Sequence, residues 1–415
     1  MSESKVIDIG MFEITKAVLS NSDKSKQNEI GMLITDIMVN ESIYSSYVGV
    51  DIMIYDTHAL SDEFPIVGEE TIELTILDYY AKPMTYNLHV YAINEIAPDD
   101  KSDSQSYLLH CMTSDFMVSE TTRIQQSMSG TVSEMVKTVH DQYLKSKEID
   151  IEATDSHRQF VIPSFTPVET INFLARKAFS ATNKSCNFMF FENREKYVFK
   201  THEQIFKDAG ELPKRNTFYY GETKLDVNER SELMNHAIMM KPKRRFNLID
   251  TVRKGAMISE VVRIDPGTRS FTSTIYDHGD EFANYQHSDA KSKEYHTADF
   301  RSKYLSKENN VVNTFLTFEE SNEGERAYAE IIPRRNSTAF YLRSNAMEME
   351  INGCNDIFAG SVLNLIIPEM KFKNGDKDNH PNISGRYLVE TINHTMSEKK
   401  WSMRLTMIKD SFVNG

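Results

Sequence analysis

The stretch IFAGSVLNLII, Ile357 to Ile367, places Gly360 ahead of a run in which Leu363, Leu365 and Ile367 alternate with small or polar residues. Far upstream, IVGEETIELTI, Ile66 to Ile76, repeats the phrase, with Gly68 leading into Ile72, Leu74 and Ile76. Period-two alternation is the pattern of a strand with one buried face. A glycine ahead of it reaches backbone conformations that a side chain would strain. One phrase written twice points to a duplicated β unit, with Gly68 and Gly360 as matching structural turns.

The flanks extend the match. Tyr91-x-Ile93-x-x-Ile96 follows the first glycine and Tyr387-x-Val389-x-x-Ile392 the second. Each is succeeded by a polar loop and by an alternating strand that opens on an aromatic, Tyr107-x-Leu109-x-Cys111 and Trp401-x-Met403-x-Leu405. Both copies close on an acidic residue near a phenylalanine, Asp115-Phe116 and Asp410-Ser411-Phe412. With Val48, Val50, Ile52 and Ile54 also on one parity, residues 1–118 read as an antiparallel β unit.

From residue 119 the texture changes. Val132, Met135, Val136, Val139 and Tyr143 share one helical face, with Ser129 or Thr131 as cap. Thr166-Pro167-Val168-Glu169 is a capping box with proline at the first helical position. CNFMFFENREKYVFKT, Cys186 to Thr201, is a hairpin, and residues 119–215 form an α+β insertion. Strand texture returns at Ala256 to Ile264 and Ser270 to Tyr276 around the turn Asp265-Pro266-Gly267. A polar excursion follows over 277–338, with a helix expected near Glu323 to Ile332, and the sheet resumes beyond it. The fold class is β-rich α+β: two similar antiparallel β-barrels, at 1–118 and 216–415, with the insertion between them. Closure removes the unpaired edges that promote aggregation.

A chain of 415 residues supports two or three domains without disulfides. Cys111, Cys186 and Cys354 are odd in number and more than 70 residues apart, which fits neither a disulfide framework nor a paired-cysteine zinc site. The N-terminal residues lack the basic start and apolar core of a secretory signal, so cytosolic synthesis and assembly are expected. No window reaches about 18 consecutive apolar residues, and no helical membrane insertion is expected. Residues 1–120 hold 6 Lys and Arg against 21 Asp and Glu, whereas the other 295 hold 41 and 40, so the net charge of −14 belongs to the first quarter. That concentration argues against nucleic-acid binding there, which needs a basic footprint. The compact basic clusters are KPKRRF (Lys241 to Phe246) and PRRN (Pro333 to Asn336), both expected as solvated loops.

Catalytic and metal signatures are missing from the sequence. Asp277, His278, Asp280 and Glu281, with His287 and His296 downstream, lack the spacing that sets two ligands on one helical face. Asp376 and Asp378 have calcium-loop spacing, but Pro381 stands where such a loop needs glycine. No nucleophile elbow or phosphate loop occurs, and no cofactor is expected.

The elements IFAGSVLNLIIPEM, HPNISGRYLVETINHTM, WSMRLTMIKDSF, TPVETINFLARKAFS, CNFMFFENREKYVFKT and NLIDTVRKGAMISEVVRIDPGTRSFTSTIYD together resemble the central baseplate hub proteins of contractile-tailed bacteriophages. The hub portions of type VI secretion spike proteins are similar. The resemblance implies a non-enzymatic homotrimer in the virion tail baseplate, whose chains form a ring around a DNA channel. Two barrels in each of three chains present six near-equivalent units to a sixfold tail tube and a true threefold to a spike. The implied partners are the tail spike protein, the tail tube protein, the tape measure protein and surrounding baseplate proteins. DNA passes without specific binding. The sequence ends at Gly415 with no appended lysozyme-like or β-helical region, so the spike is expected as a separate polypeptide. Asp51 and Glu73, opposite the buried parity of their strands, with Glu69 and Glu70 at the adjoining turn, are candidates for a negative channel lining. The alternatives are a tail-associated cell-wall hydrolase hidden in 277–338 and a receptor- or carbohydrate-binding β protein.

Overall fold

A computed structural model describes residues 9–57, 60, 64–98, 104–221, 233–244, 247–265, 269–289, 314–318, 328–373 and 376–412. The first strands are β1 (Glu13–Ser20), β2 (Gln27–Glu29), β3 (Ile34–Ser42), β4 (Gly49–Asp56), β5 (Thr71–Leu77), β6 (Pro83–Pro98) and β7 (Gln105–Thr113). The insertion contributes β8 (Ile124–Gly130), β9 (Ile149–Ile151), β10 (Arg158–Phe165), β11 (Phe188–Glu192) and β12 (Tyr197–Thr201). Then come β13 (Thr217–Tyr219), β14 (Met239–Arg244), β15 (Ile258–Asp265), β16 (Ser270–Asp277) and β17 (Thr314–Phe318). The last are β18 (Asn345–Asn352), β19 (Val362–Ile366), β20 (Pro368–Lys373), β21 (Asp376–Asn379), β22 (Gly385–Ser397) and β23 (Lys400–Lys409).

The duplication is written in the strand order. The first run is β3-β4-β7-β6-β5-β1 and the second β14-β18-β23-β22-β19-β13, the same path taken twice. Register sharpens the match. Val39, Val50, Cys111 and Val90 form one cross-strand row, and Pro242, Met347, Met407 and Val389 form its counterpart. Each run carries a bulge just past that row, between Val90 and Ala92 and between Val389 and Thr391. One difference is clear: β1 pairs β5 antiparallel, whereas β13 pairs β19 parallel.

Neither run closes on itself by hydrogen bonds among the described residues. The ladders give one large, mostly antiparallel sheet that carries the repeat, and they stop short of the two closed barrels expected from sequence. The reason is an edge satisfied differently. β22 pairs β3, from Thr391 opposite Ser42 to Ser397 opposite Asp36, so one run's edge caps the other's. Val50, Ile52, Ile72 and Leu74 of the first run and Met347, Met349, Leu363 and Leu365 of the second accordingly bury in a single continuous core.

The insertion has its own core. The helix Val132–Tyr143 buries Val132, Met135, Val136 and Val139 against Ile171 and Leu174 of the helix Pro167–Ala175, and both pack on Phe190, Tyr197 and Phe199. Thr131 and Thr166 cap these helices in reciprocal capping boxes with Glu134 and Glu169. The helix expected near Glu323 to Ile332 spans Tyr328–Ser344 and runs on through Pro333. Side-chain bonds past the proline hold it: Arg335 donates to the Cys186 carbonyl at 3.0 Å and Ser337 to the Ala256 carbonyl at 2.6 Å. The PRRN cluster is thus a packed joint and not a solvated loop. Pro266, Gly267 and His296 lie outside the described residues, as does most of the excursion.

Gly68 and Gly360 both hold positive φ, at 97° and 87°. Thr71 takes the place of Val362 in the ladders, so the two glycines stand one residue apart in the repeat. Their surroundings differ: a Cβ on Gly68 meets nothing within 4 Å, while one on Gly360 meets the Phe191 ring at 2.7 Å. Gly68→Ala should therefore cost about 1–2 kcal/mol from backbone strain alone. Gly360→Ala should cost about 1–3 kcal/mol more by overpacking. Urea unfolding of the two variants checks the order; equal losses would contradict the assigned contact.

Candidate functional site

On β4 and β5 the even positions are buried, which turns Asp51 and Glu73 to the sheet's other face. Both carboxylates have cationic or protonatable neighbours there. Asp51 lies 2.6 Å from His110 Nδ1, and Glu73 lies 2.6 Å from Lys16 Nζ. Pairs that remain partly open to solvent, as these do, contribute about 0–1 kcal/mol. Glu348 of β18 occupies the place of Asp51 in the second run and faces Arg404 at 3.6 Å. The face is acidic at equivalent points of both copies, and Glu348 had no sequence signal until register aligned the runs.

Glu69 is exposed at the turn, but Glu70 is only 2% exposed. Its carboxylate accepts the amides of Val67, Gly68 and Glu69 at 3.0, 2.9 and 3.1 Å. Glu70 therefore holds its own turn together and leaves the candidate acidic lining, because a carboxylate wrapped by three amides is not offered to a channel.

A buried polar seam, absent from the sequence reading, ties the insertion to both runs. Glu192 accepts the Val48 amide at 3.2 Å and the Thr113 hydroxyl, and it pairs with Lys147 at 2.6 Å. Arg194 donates to the Asn355 carbonyl, and the Asn355 amide donates to Asp78 at 2.9 Å. Glu41 accepts the Ala359 amide at 3.0 Å, and burial pushes its carboxyl pKa up against the nearby Arg194 charge. These partners come from segments hundreds of residues apart, so no local spacing announces them.

The polar excursion begins as a clasp. His287 Nδ1 meets Asp410 at 2.7 Å and Nε2 meets the Phe282 carbonyl at 2.7 Å, while Ser288 donates to Asp410 at 2.9 Å. Ser, His and Asp converge here, yet both imidazole nitrogens are engaged and the hydroxyl rests on the carboxylate. A nucleophile needs its hydroxyl on the base, so the geometry does not activate Ser288. His278 is stacked on Tyr341 at 4.1 Å. Asp376 and Asp378 lie in the β21 strand and not in an ion-binding loop. Among the described residues no three His, Cys, Asp or Glu converge as metal ligands do, and no helix is long and apolar enough to cross a membrane.

No protein-family model and no curated protein matches the chain. Solved structures do. The 43 kDa tail protein of prophage MuSo2 from Shewanella oneidensis aligns over 96% of this chain and 99% of its own, at 10% identity and TM-score 0.57. This is a phage tail-protein fold. The tail protein from Neisseria meningitidis MC58 aligns over 96% and 97%, at 10% identity and TM-score 0.55. At such identity the shared property is the fold, and it spans nearly the whole of both chains, in line with the resemblance drawn from sequence.

Burial opposes a charged His287, but the Asp410 charge and hydrogen bond outweigh it and raise the imidazole pKa. Burial likewise would raise Asp410, yet His287 holds it well below the usual carboxylate range. A raised histidine stabilises the fold below its unfolded pKa and loses that contribution as pH rises through its folded pKa; a depressed aspartate contributes above its unfolded pKa. The clasp is therefore complete between about pH 4 and pH 6.5. The melting temperature of His287→Gln should fall furthest below wild type in that window, and the gap should narrow toward about pH 9. A gap that widens with pH would contradict the charged clasp.

Proposed function

We propose that the chain is a structural protein of a phage tail, the trimeric central hub of the baseplate, which adapts a sixfold tail tube to a threefold spike. The observation that carries this reading is the doubled strand path, joined edge to edge within one sheet. Two equivalent runs per chain give three chains six similar units, and an interface repeats with its symmetry operator. The tail-protein fold supports the same role. In the assembly each run acts as a barrel-like unit of the ring, residues 1–118 and 216–415 supplying the units and 119–215 the decoration held by the Glu192 and Arg194 seam. The partners are the tube, the spike, and the tape measure and neighbouring baseplate proteins. A hydrolase in the excursion finds no support in the Ser288 geometry.

The face bearing Asp51, Glu69, Glu73 and Glu348 lines the channel and repels the phosphates of passing DNA, which a basic wall would hold through counterion release. Light scattering should give three times the 47.8 kDa chain mass. A single-chain mass at micromolar concentration, with the spike protein also present, would contradict the trimer. Particles carrying Asp51→Lys and Glu73→Lys should assemble and eject DNA more slowly; unchanged ejection from assembled particles would remove the channel lining.

A further inference from the structure

We infer that the joint between copies in the ring is a β-ladder in which β14 of one copy pairs antiparallel with the second half of β6 in the next. This rests on the trimer reading and deepens it. Within the chain β22 meets β3 through residues 391–397, past its bulge. By strand order β22 corresponds to β6 and β3 to β14, so the internal joint has a second, unfilled instance.

The two edges involved are open. Among the described residues β14 pairs only β18, and β6 past its bulge pairs only β7, because β5 meets β6 only up to His89. Lys241, Pro242 and Lys243 are exposed on one edge, and Tyr91 and Asn94 on the other. Unpaired edges of this length template association. Carrying the internal register across, with the bulges between Asn94 and Ala97 and between Pro242 and Arg244 kept, sets Asn94 opposite Arg244 and Ala97 opposite Lys241.

Charge chooses the occupant. β14 and the residue after it read MMKPKRR, while the end of β6 and the five residues after it read NEIAPDDKSD. Lysine and proline also serve to blunt an edge that stays single. The acidic run that follows the other edge in the sequence favours a second copy instead, since opposite potentials steer and register an interface. It also gives the KPKRRF cluster a use.

The test places cysteines at Asn94→Cys and Arg244→Cys in one chain. Directly opposed antiparallel residues have Cα atoms about 4.5–5.5 Å apart, within disulfide reach. Within one chain seven ladders separate the two strands, and a link between copies is told from one within a chain by its mass on a non-reducing gel. The native cysteines are buried. Mild oxidation should convert the protein to covalently linked trimer, and the pair Asn94→Cys with Lys241→Cys, two ladder positions out of register, should link at least about tenfold less. Should the double variant misfold, hydrogen exchange on the wild-type trimer decides: amides of 91–98 and 239–244 should exchange at least about tenfold more slowly than in diluted monomer. A trimer without cross-link or protection overturns the joint and leaves the hub reading standing. A protein that stays monomeric overturns both.

Discussion

Seven backbone pairs, Thr391 to Ser397 against Ser42 to Asp36, hold the two halves of the chain in one sheet. Everything else is arranged around that ladder. It lets the cores on either side merge, so Val50 and Ile72 bury with Met347 and Leu363. A strand edge buried without a partner leaves amides and carbonyls unsatisfied at real cost, and duplication supplies the partner from the chain itself. The bulges at Val90 and Val389 redirect each long strand so that one strand serves two neighbours in succession. Without the bulge β22 could not leave β19 and continue along β3.

The insertion is fixed by a different means. Glu192 and Arg194 reach from its hairpin to backbone groups of the two runs, at Val48 and Asn355, and Lys147 of the insertion pairs with Glu192. Removing one member of such a buried set strands its partners, so the seam acts as a locator for the insertion more than as a source of net stability. Phe191, in the same hairpin, fills the space left by the missing side chain of Gly360. The turn that opens the second copy of the repeat is therefore also the seat of the insertion. The first copy's turn, with open space at Gly68 and Glu70 folded into it, has no such load.

Much of this was legible. Alternation named the faces of β4, β5 and β19, and the cap motifs named both helices of the insertion, because these signals are local. The pairing of Ile72 with Leu363 and of Leu74 with Leu365 follows from the glycine phrase and agrees with the ladders. Matching Tyr91 to Tyr387 does not: the ladders align Val90 with Val389 and Ile93 with Ile392. A period-two pattern resembles itself at every even shift, and a bulge makes an odd shift look in phase, so texture alone could not fix that register. The shared Val-x-x-Ile spacing was the usable signal. The seam, the His287 clasp and the role of Glu70 were invisible because they depend on which distant segments meet.

The central claim is that the two strand runs of one chain are equivalent units of a ring. An electron-microscopic structure of the assembled tail, at a resolution that traces strands, tests it most directly. The account predicts that a rotation of about 60° about the tail axis carries the run β3-β4-β7-β6-β5-β1 onto β14-β18-β23-β22-β19-β13 of the same chain, with Val50 falling on Met347. Runs related by any other rotation, or standing at different heights along the axis, would contradict it.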